Sequence, residues 1–250
     1  MIGVRVDIDA VGDIKAVPSL LNLFDEHDIR ASFFIAFGPD RVGRNLFKYI
    51  QRPWDIPKAK PGRYGFGNLL RSFFNPQIIE GYKTQLIEIE KRGHEVGLHG
   101  YDHYNWVREK RDIQKGLESF REVFGKKPRA FASPGFKTNS EYLRALDCFG
   151  FDYASDFLGS EPVYPLLNGK KADTMQIPVS IKSIGELSIN GQSDEQILRL
   201  YSQGMENEFF TFYLHPSYEV NHNYSLLCRV FQKVGKMGTA TFSEIWRQWR

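Results

Sequence analysis

The sequence predicts a single α/β domain whose parallel strands form either a barrel or a doubly wound sheet, and three observations lead to this prediction. Short apolar segments of strand length alternate with longer segments of helical periodicity, in about six to eight βα units. The segment 31–37 is apolar almost throughout, as is typical of a strand with both faces buried. The chain of 250 residues suffices for one full core and matches the usual size of a single α/β barrel.

The predicted elements carry local sequence signals. Pro18 suits the first turn of the first helix, and Asn75 followed by Pro76 is a typical helix start. Gly150 is expected to end a helix, and Pro178 near the end of its strand indicates a strand that is either peripheral or bulged. We therefore predict strands at residues 2–8, 31–37, 93–98, 129–133, 151–155, 174–180, 208–214 and 239–242, and helices at 17–27, 40–50, 75–92, 111–124, 140–149, 194–204, 222–234 and, capped by Ser243, up to 249.

Residues 51–75 interrupt this alternation because they are rich in proline and glycine, so we predict an irregular insertion within one domain that spans 1–250. In the insertion and the helix before it, basic residues are interleaved with aromatic ones. This mixture is typical of a segment at a membrane interface, and we expect lipid contacts from Arg63, Arg71, Phe73 and Phe74. A loop over the barrel mouth or a contact with another subunit is the alternative.

Several functional classes lack their sequence signals. The two cysteines, Cys148 and Cys228, provide neither a disulfide framework nor a paired zinc motif. A net charge of +3 does not indicate nucleic-acid binding, and no P-loop or dinucleotide-binding glycine motif is present. The chain also lacks a secretory leader pattern and a run of about 20 apolar residues, so we expect a cytoplasmic protein that does not span the membrane.

Polar residues follow the predicted strands at the points where the strands end. His99 and His103 are spaced i, i+4, so one helical turn would place both imidazoles on one side. Asp7 and Asp9 end the first strand, and His215 follows a later one. Because the carboxyl ends of parallel strands meet on one face, we expect these side chains to converge. One carboxylate with two imidazoles is a common site for a single divalent cation.

These motifs carry a resemblance to a known family. The aspartate pair Asp7-x-Asp9, the His99-xxx-His103 motif after a Gly-His-Glu strand, and the Leu-His-Pro at His215 resemble three motifs of the polysaccharide deacetylase (NodB-homology) family, in the same order. The sequence is most similar to the ArnD-type branch, which removes a formyl group from formamido-arabinose carried on undecaprenyl phosphate. The resemblance implies a distorted, incomplete TIM-like (β/α) barrel.

The resemblance also implies a role for each matching residue. The ligands of a divalent metal, most often Zn²⁺ with Mn²⁺ or Co²⁺ as alternatives, would be Asp9, His99 and His103. Asp7 would be the general base and His215 the general acid, which Asp156 would orient. Amide hydrolysis needs these parts, because the carbonyl must be polarised, the water deprotonated and the departing nitrogen protonated. Substrate contacts are expected from Gly135, whose N–H is a candidate oxyanion donor, and from Phe136, Lys137 and Glu219, the last of which is otherwise a solvated acid.

The sequence departs from the family pattern in its third motif. Ala132 stands where the family has an arginine before the turn, and we expect Lys137, after that turn, to supply the missing charge. The ArnD-type branch has the same departure.

The substrate remains open at this stage. A formyl or acetyl group on an undecaprenyl-phosphate-linked amino sugar is the first hypothesis, with the enzyme peripheral on the inner face of the cytoplasmic membrane. A deacetylase of soluble or cell-wall polysaccharide or of N-acetylhexosamine is the second, and a sugar-binding relative without catalysis is the third. The intact set of Asp7, Asp9, His99, His103 and His215 argues against the third. We expect neither a nucleic-acid ligand nor an obligate protein partner.

Overall fold

The computed structural model of the protein describes residues 1–41, 72–74, 77, 79, 81–103 and 110–250. In this part of the chain the strands are β1 Ile2–Ile8, β2 Ser32–Ile35, β3 Glu95–Leu98, β4 Ala130–Phe131, β5 Tyr153–Ala154, β6 Leu166–Leu167, β7 Lys170–Lys171, β8 Met175–Gln176 and β9 Phe210–Leu214. The α-helices are α1 Val11–Glu26, α2 Lys83–Lys91, α3 Lys110–Phe124, α4 Ser140–Phe149, α5 Ile184–Ile189, α6 Asp194–Met205, α7 Pro216–His222, α8 Tyr224–Met237 and α9 Phe242–Trp249.

The described strands form a seven-stranded parallel sheet in the order β8-β5-β4-β3-β2-β1-β9, beside a separate β6-β7 hairpin. The sheet curls so that its two edges meet through the segment after β8. There Ser180 N–H donates to the carbonyl of Thr211 at 2.9 Å, and Ile181 forms a parallel bridge with Phe212. The predicted incomplete barrel is confirmed, and β8 lies at an edge of the sheet but ends at Gln176, before Pro178.

The sheet has a hydrophobic core on each face, which explains why the sequences of its strands are apolar almost throughout. Along β2, Phe33 packs into the cluster shared with the outer helices, whereas Phe34 points into the barrel interior with Tyr153. Helix α9 fills the interior at the end where the parallel strands begin, and its Phe242 and Ile245 join the same inner cluster. This end of the barrel is therefore closed by packing, and the residues of the predicted site lie at the other end.

Several boundaries differ from the prediction for local reasons. Helix α1 begins at Val11 rather than 17, because the Asp13 carboxylate accepts the N–H groups of Asp9 and Ala10, each at 3.1 Å. Pro18 therefore lies inside the helix. The expected strand 239–242 is reduced to one bridge between Gly3 and Ala240, because the Thr241 side chain caps α9 in place of Ser243.

The region after β2 is only partly open to comparison with the prediction. Asp40 and Arg41 are not helical, and the rest of the predicted helix 40–50 lies outside the described residues, as does the insertion 51–75 except for 72–74. Arg63 and Arg71 are among the residues outside, whereas Phe74 is described and 85% exposed. In the described ranges, none of the helices has the length and apolarity needed to cross a bilayer.

Candidate metal and catalytic site

The polar residues predicted to converge lie at the carboxyl ends of the parallel strands. Asp7 is within β1, Asp9 follows it, His99 directly follows β3, and His215 directly follows β9. In the sheet β1 lies between β2 and β9, and β3 lies on the other side of β2. The two aspartates at the end of β1 therefore lie between the loops that carry His99 and His215. Asp156 follows β5 in the same way. This placement agrees with the general position of active sites in parallel α/β folds.

Asp9, His99 and His103 offer ligand atoms that all lie within 4.8 Å of one another. Asp9 Oδ1 is 3.3 Å from His99 Nε2, and Asp9 Oδ2 is 3.2 Å from His103 Nε2. Two ligand atoms of a tetrahedral zinc site with bonds of about 2.1 Å are about 3.4 Å apart, so the observed spacing is close to that of ligands around one ion.

The protonation pattern of His99 also suits a metal ligand. Its Nδ1 lies 2.8 Å from the carbonyl oxygen of Ala132, so this nitrogen carries the hydrogen and Nε2 presents its lone pair to Asp9. Among the described residues, the buried Asp9 Oδ1 and His99 Nε2 have no hydrogen-bond partner of normal geometry. Two buried polar atoms that face each other in this way fit a divalent cation between them.

The two histidines meet through a loop and not through a helical turn, which corrects the prediction from their spacing. Residues 99–103 are not helical, and Gly100 has φ 72°, in the left-handed region. The Asp112 carboxylate of α3 accepts the N–H groups of Tyr101 at 3.0 Å and Asp102 at 2.9 Å. This carboxylate therefore shapes the loop, and the ring centroids of His99 and His103 come to 5.3 Å.

The loop from β2 holds the same histidine loop from its other side. Gly38 N–H donates to the carbonyl of Tyr101 at 2.6 Å, and Arg41 forms an ion pair with Asp102 at 2.8 Å. Asp102 directly precedes His103, so the position of this candidate ligand depends on both contacts.

The charge of Asp9 is stabilised by its neighbours. Burial alone raises the pKa of a carboxyl group, but the imidazoles of His103, His99 and His215, in their protonated form, lower the pKa of Asp9 well below its usual range. A carboxylate that stays ionised among three imidazoles is the form that binds a cation.

Asp13 was not singled out in the sequence, yet it supports Asp9 directly. Its Oδ2 accepts the N–H of Asp9, and its Oδ1 accepts both the N–H and the hydroxyl of Ser217. Burial and the nearby charge of Asp9 raise the pKa of Asp13 to about 6. Its spacing of four residues from Asp9, in the first turn of a helix, was the available signal.

Asp7 is paired with Arg5, a residue that the sequence analysis missed. Arg5 Nε lies 2.7 Å from Asp7 Oδ1 and Nη2 lies 2.8 Å from Oδ2, and both side chains are buried. The residue expected to supply this charge, Lys137, is instead exposed after the Pro134–Phe136 turn. The signal was an arginine two residues before Asp7 in an otherwise apolar strand, since residues i and i+2 share a face.

His215 lies beside the candidate metal ligands. Its Nε2 is 3.4 Å from Asp9 Oδ2, and its ring contacts that of Tyr213 with centroids 5.4 Å apart. Glu219, predicted to touch substrate or to be solvated, is not solvated, because it is only 1% exposed. Its carboxylate accepts the N–H of His215 at 2.8 Å and that of Gly185 at 3.0 Å, so it holds the loop of His215 in place.

Asp156 has contacts other than the predicted one. Its carboxylate accepts the N–H of Ser133 at 2.7 Å and the side-chain amide of Gln176 at 2.9 Å. His215 Nδ1 is buried without a hydrogen-bond partner in the described part of the chain, so Asp156 does not orient it by direct contact. Burial raises the pKa of Asp156, while its hydrogen bonds oppose this shift.

The Pro134–Phe136 turn lies next to the Arg5–Asp7 pair. Gly135 has φ 60° and Phe136 has φ 55°, so two successive residues are in the left-handed region. The Phe136 ring lies over the Arg5 guanidinium with 4.9 Å from Cζ to the ring centroid, and it contacts Tyr213 with centroids 5.3 Å apart. The exposed Gly135 is thus presented beside the candidate base.

Comparison with known proteins finds a matching family and relatives whose names state an activity. Residues 64–154 match the family model described as polysaccharide deacetylase. The probable 4-deoxy-4-formamido-L-arabinose-phosphoundecaprenol deformylase ArnD of Shewanella sediminis is 33% identical over 202 residues, which cover 74% of this chain and 65% of that protein. The protein of the same name from Wigglesworthia glossinidia brevipalpis is 32% identical over 193 residues, which cover 71% and 67%. The alignment thus spans about two thirds of either relative.

A solved structure supports the same fold. The probable polysaccharide deacetylase from Pseudomonas aeruginosa PAO1 superposes with a TM-score of 0.67, covering 99% of this chain and 90% of that one at 14% identity. At this level of identity the likeness concerns the fold alone.

Proposed function

Because the chain belongs to the polysaccharide deacetylase family, we propose that it is a divalent-metal-dependent hydrolase that removes a formyl or acetyl group from an amino sugar. The observation that carries this proposal is the convergence of Asp9, His99 and His103, with Asp7 and His215 beside them. A bound divalent cation, with Zn²⁺ favoured by the nitrogen-rich ligand set, would act as a Lewis acid toward the amide carbonyl.

The side chains around this set can supply both proton transfers of amide hydrolysis. Asp7 Oδ2 lies 3.9 Å from His99 Nε2, so this carboxylate can accept a proton from a water molecule in the space next to the ligands. His215 Nε2 lies 3.4 Å from Asp9 Oδ2, and this imidazole can donate a proton to the departing nitrogen. The Gly135 N–H is the candidate donor to the developing oxyanion.

We propose a lipid-linked formamido sugar as the substrate. Support comes from the two relatives whose names specify a formamido-arabinose on phosphoundecaprenol, at 33% and 32% identity. The basic and aromatic segment around Arg63, Arg71, Phe73 and Phe74 suits an enzyme that works on the inner face of the cytoplasmic membrane without spanning it.

The test combines metal content with product analysis. The purified protein is incubated with detergent-solubilised undecaprenyl-phosphate sugars that carry formyl or acetyl groups, and formate, acetate and free amine are quantified. We expect formate release, one metal equivalent per chain, and loss of both in His99→Ala and His103→Ala. His222→Ala, a histidine at the end of α7, is the matched control that should keep both.

A further variant, Asp7→Asn, separates catalysis from metal binding. Asp7→Asn should retain the metal but lose about 10²–10⁴-fold in turnover, because the base is removed. Near-normal turnover in Asp7→Asn would contradict the base assignment. Acetate release from soluble or cell-wall polysaccharide, without formate release from the lipid-linked sugar, would favour the polysaccharide deacetylase activity after which the family is named.

A further inference from the structure

We propose that Arg5 is a positioning residue that fixes the Asp7 carboxylate and ties it to the turn carrying Gly135. This inference rests on the proposed function, since it needs Asp7 to act on the reacting water. It concerns a residue of the first strand that touches neither the metal ligands nor, by its burial, the solvent.

The Arg5–Asp7 contact is a two-point contact between planar groups. Nε donates to one carboxylate oxygen and Nη2 to the other, at 2.7 and 2.8 Å, so the plane of the carboxylate is set by the plane of the guanidinium. A single-point contact would leave the carboxylate free to rotate. The direction in which Asp7 faces the reacting water is therefore determined by Arg5.

The guanidinium is itself held from another strand. Its remaining nitrogen, Nη1, donates to the backbone carbonyl of Ser155 at 2.6 Å and lies 3.2 Å from the hydroxyl of the same residue. Ser155 directly follows β5, which is separated from β1 by three strands in the sheet. Arg5 thus spans the barrel interior and has no freedom to swing away from Asp7.

Aromatic rings complete this support. The Arg5 guanidinium carbon lies 4.9 Å from the ring centroid of Phe136, 5.4 Å from that of Phe34 and 6.0 Å from that of Tyr213. Phe136 adjoins Gly135 in a turn with two left-handed residues, which the ring contact with Arg5 helps to hold. Asp7 and the candidate oxyanion donor are therefore positioned by the same side chain.

A role in stability alone does not account for this charge. The guanidinium is enclosed by the rings of Phe34, Phe136 and Tyr213, and its polar neighbours besides Asp7 include the carbonyl and hydroxyl of Ser155. A buried ion pair in such surroundings adds little to stability compared with apolar residues of the same volume. The two-point geometry toward a group at the site is what an apolar replacement would not provide.

The experiment is a double-mutant cycle on kcat with Arg5→Lys, Asp7→Asn and the combined variant. Lysine keeps the charge but not the planar fork, so we expect kcat to fall about 10²-fold with KM and metal content unchanged. In the Asp7→Asn background the same substitution should have no further effect, because Arg5 acts through Asp7. The matched control is Arg30→Lys, an exposed arginine paired with Glu244, which should leave kcat unchanged.

Two further measurements keep the inference open to contradiction. If the lysine variant does not fold, the cycle is repeated with Arg5→Met, which fills similar space without the charge. In Arg5→Ala, added guanidinium ion should partly restore kcat. Normal kcat in a folded Arg5→Lys, or an equal loss in both backgrounds, would overturn the inference while leaving the proposed function intact. Failure of the lysine, methionine and alanine variants alike to fold with metal would assign Arg5 to structure alone and overturn it. Normal kcat in Asp7→Asn would overturn the base assignment and this inference together.

Discussion

Asp13 and Ser217, which are 204 positions apart in the sequence, are joined by two hydrogen bonds at the rim of the barrel. Asp13 Oδ1 accepts the backbone N–H of Ser217 at 3.1 Å and its hydroxyl at 2.6 Å. The other oxygen accepts the N–H groups of Asp9 and Ala10. One buried carboxylate thus connects the loop that carries Asp9 to the loop that carries His215.

Asp13→Asn should weaken metal binding, because an asparagine has one acceptor oxygen and cannot serve both loops. We expect a loss of about 10- to 100-fold in metal affinity, as for other groups that orient ligands, and about 1–3 kcal/mol in the free energy of unfolding. Competition titration with a chromophoric chelator measures the first quantity and urea unfolding the second. Ser217→Ala, which removes only the hydroxyl, is the control and should cost about 0.5–1.5 kcal/mol. Metal affinity equal to wild type in Asp13→Asn would refute the connection.

The fold and the position of the site were predictable from the sequence because they depend on local signals. β1 spans Ile2–Ile8 and α4 spans Ser140–Phe149 as predicted, since α4 has Asn139 as its cap and Gly150, at φ 66°, as its end. The strand ends then placed Asp7, His99 and His215 on one face, because parallel strands end together.

The supporting contacts were not predictable because they join residues that are distant in sequence. The helical interpretation of the spacing from His99 to His103 failed because Asp112, from the next helix, accepts two N–H groups of the loop. Glu219 was expected to contact substrate or to be solvated, and its burial was not predicted, since its amide partner Gly185 lies 34 positions away. Periodicity carries no information on such contacts, and only the fold brings the partners together.

Gly100→Ala should impair metal binding, whereas Gly93→Ala should not. Both glycines are left-handed, with φ 72° and 83°, so alanine strains the backbone by about 1–2 kcal/mol at either position. Only at Gly100 would the added Cβ lie 2.9 Å from Asp112 Oδ2 and disturb the carboxylate that shapes the histidine loop. Metal content and thermal unfolding of the two variants measure the difference. Equal metal content in both would contradict this role of Asp112.

Combined replacement of Arg63, Arg71, Phe73 and Phe74 should abolish binding to anionic liposomes. Each basic residue near an anionic surface contributes about 1 kcal/mol, and exposed aromatic rings add apolar contact. The apparent KM for the lipid-linked sugar should rise, while hydrolysis of a short water-soluble analogue should not change. The control replaces Leu166, Lys170 and Lys171, an exposed apolar and basic group on the β6-β7 hairpin. Liposome binding that persists in the first variant would exclude this segment as the membrane contact.

Glu95→Gln should flatten the dependence of stability on pH. Glu95 lies at the opposite end of the barrel, where it accepts Ser32 Oγ at 2.6 Å and the N–H of Ser243 at 3.0 Å and contacts the Tyr153 hydroxyl. Burial raises the pKa of Glu95 from 4.5 to about 7. The folded state therefore holds the proton more tightly than the unfolded chain, and wild-type stability falls as pH rises from 4.5 to about 7 and then levels off.

Glutamine can keep these contacts, because its oxygen accepts from Ser32 and Ser243 while its amide donates to the Tyr153 oxygen. The free energy of unfolding of Glu95→Gln relative to wild type should rise by about 3 kcal/mol between pH 4.5 and pH 8, as measured by urea unfolding at each pH. Glu244→Gln is the control of opposite sign, because hydrogen bonds and Arg30 lower the pKa of Glu244 against the effect of burial, so its contribution is lost as pH falls. An unchanged pH slope in Glu95→Gln would show that this carboxyl group titrates normally in the folded protein.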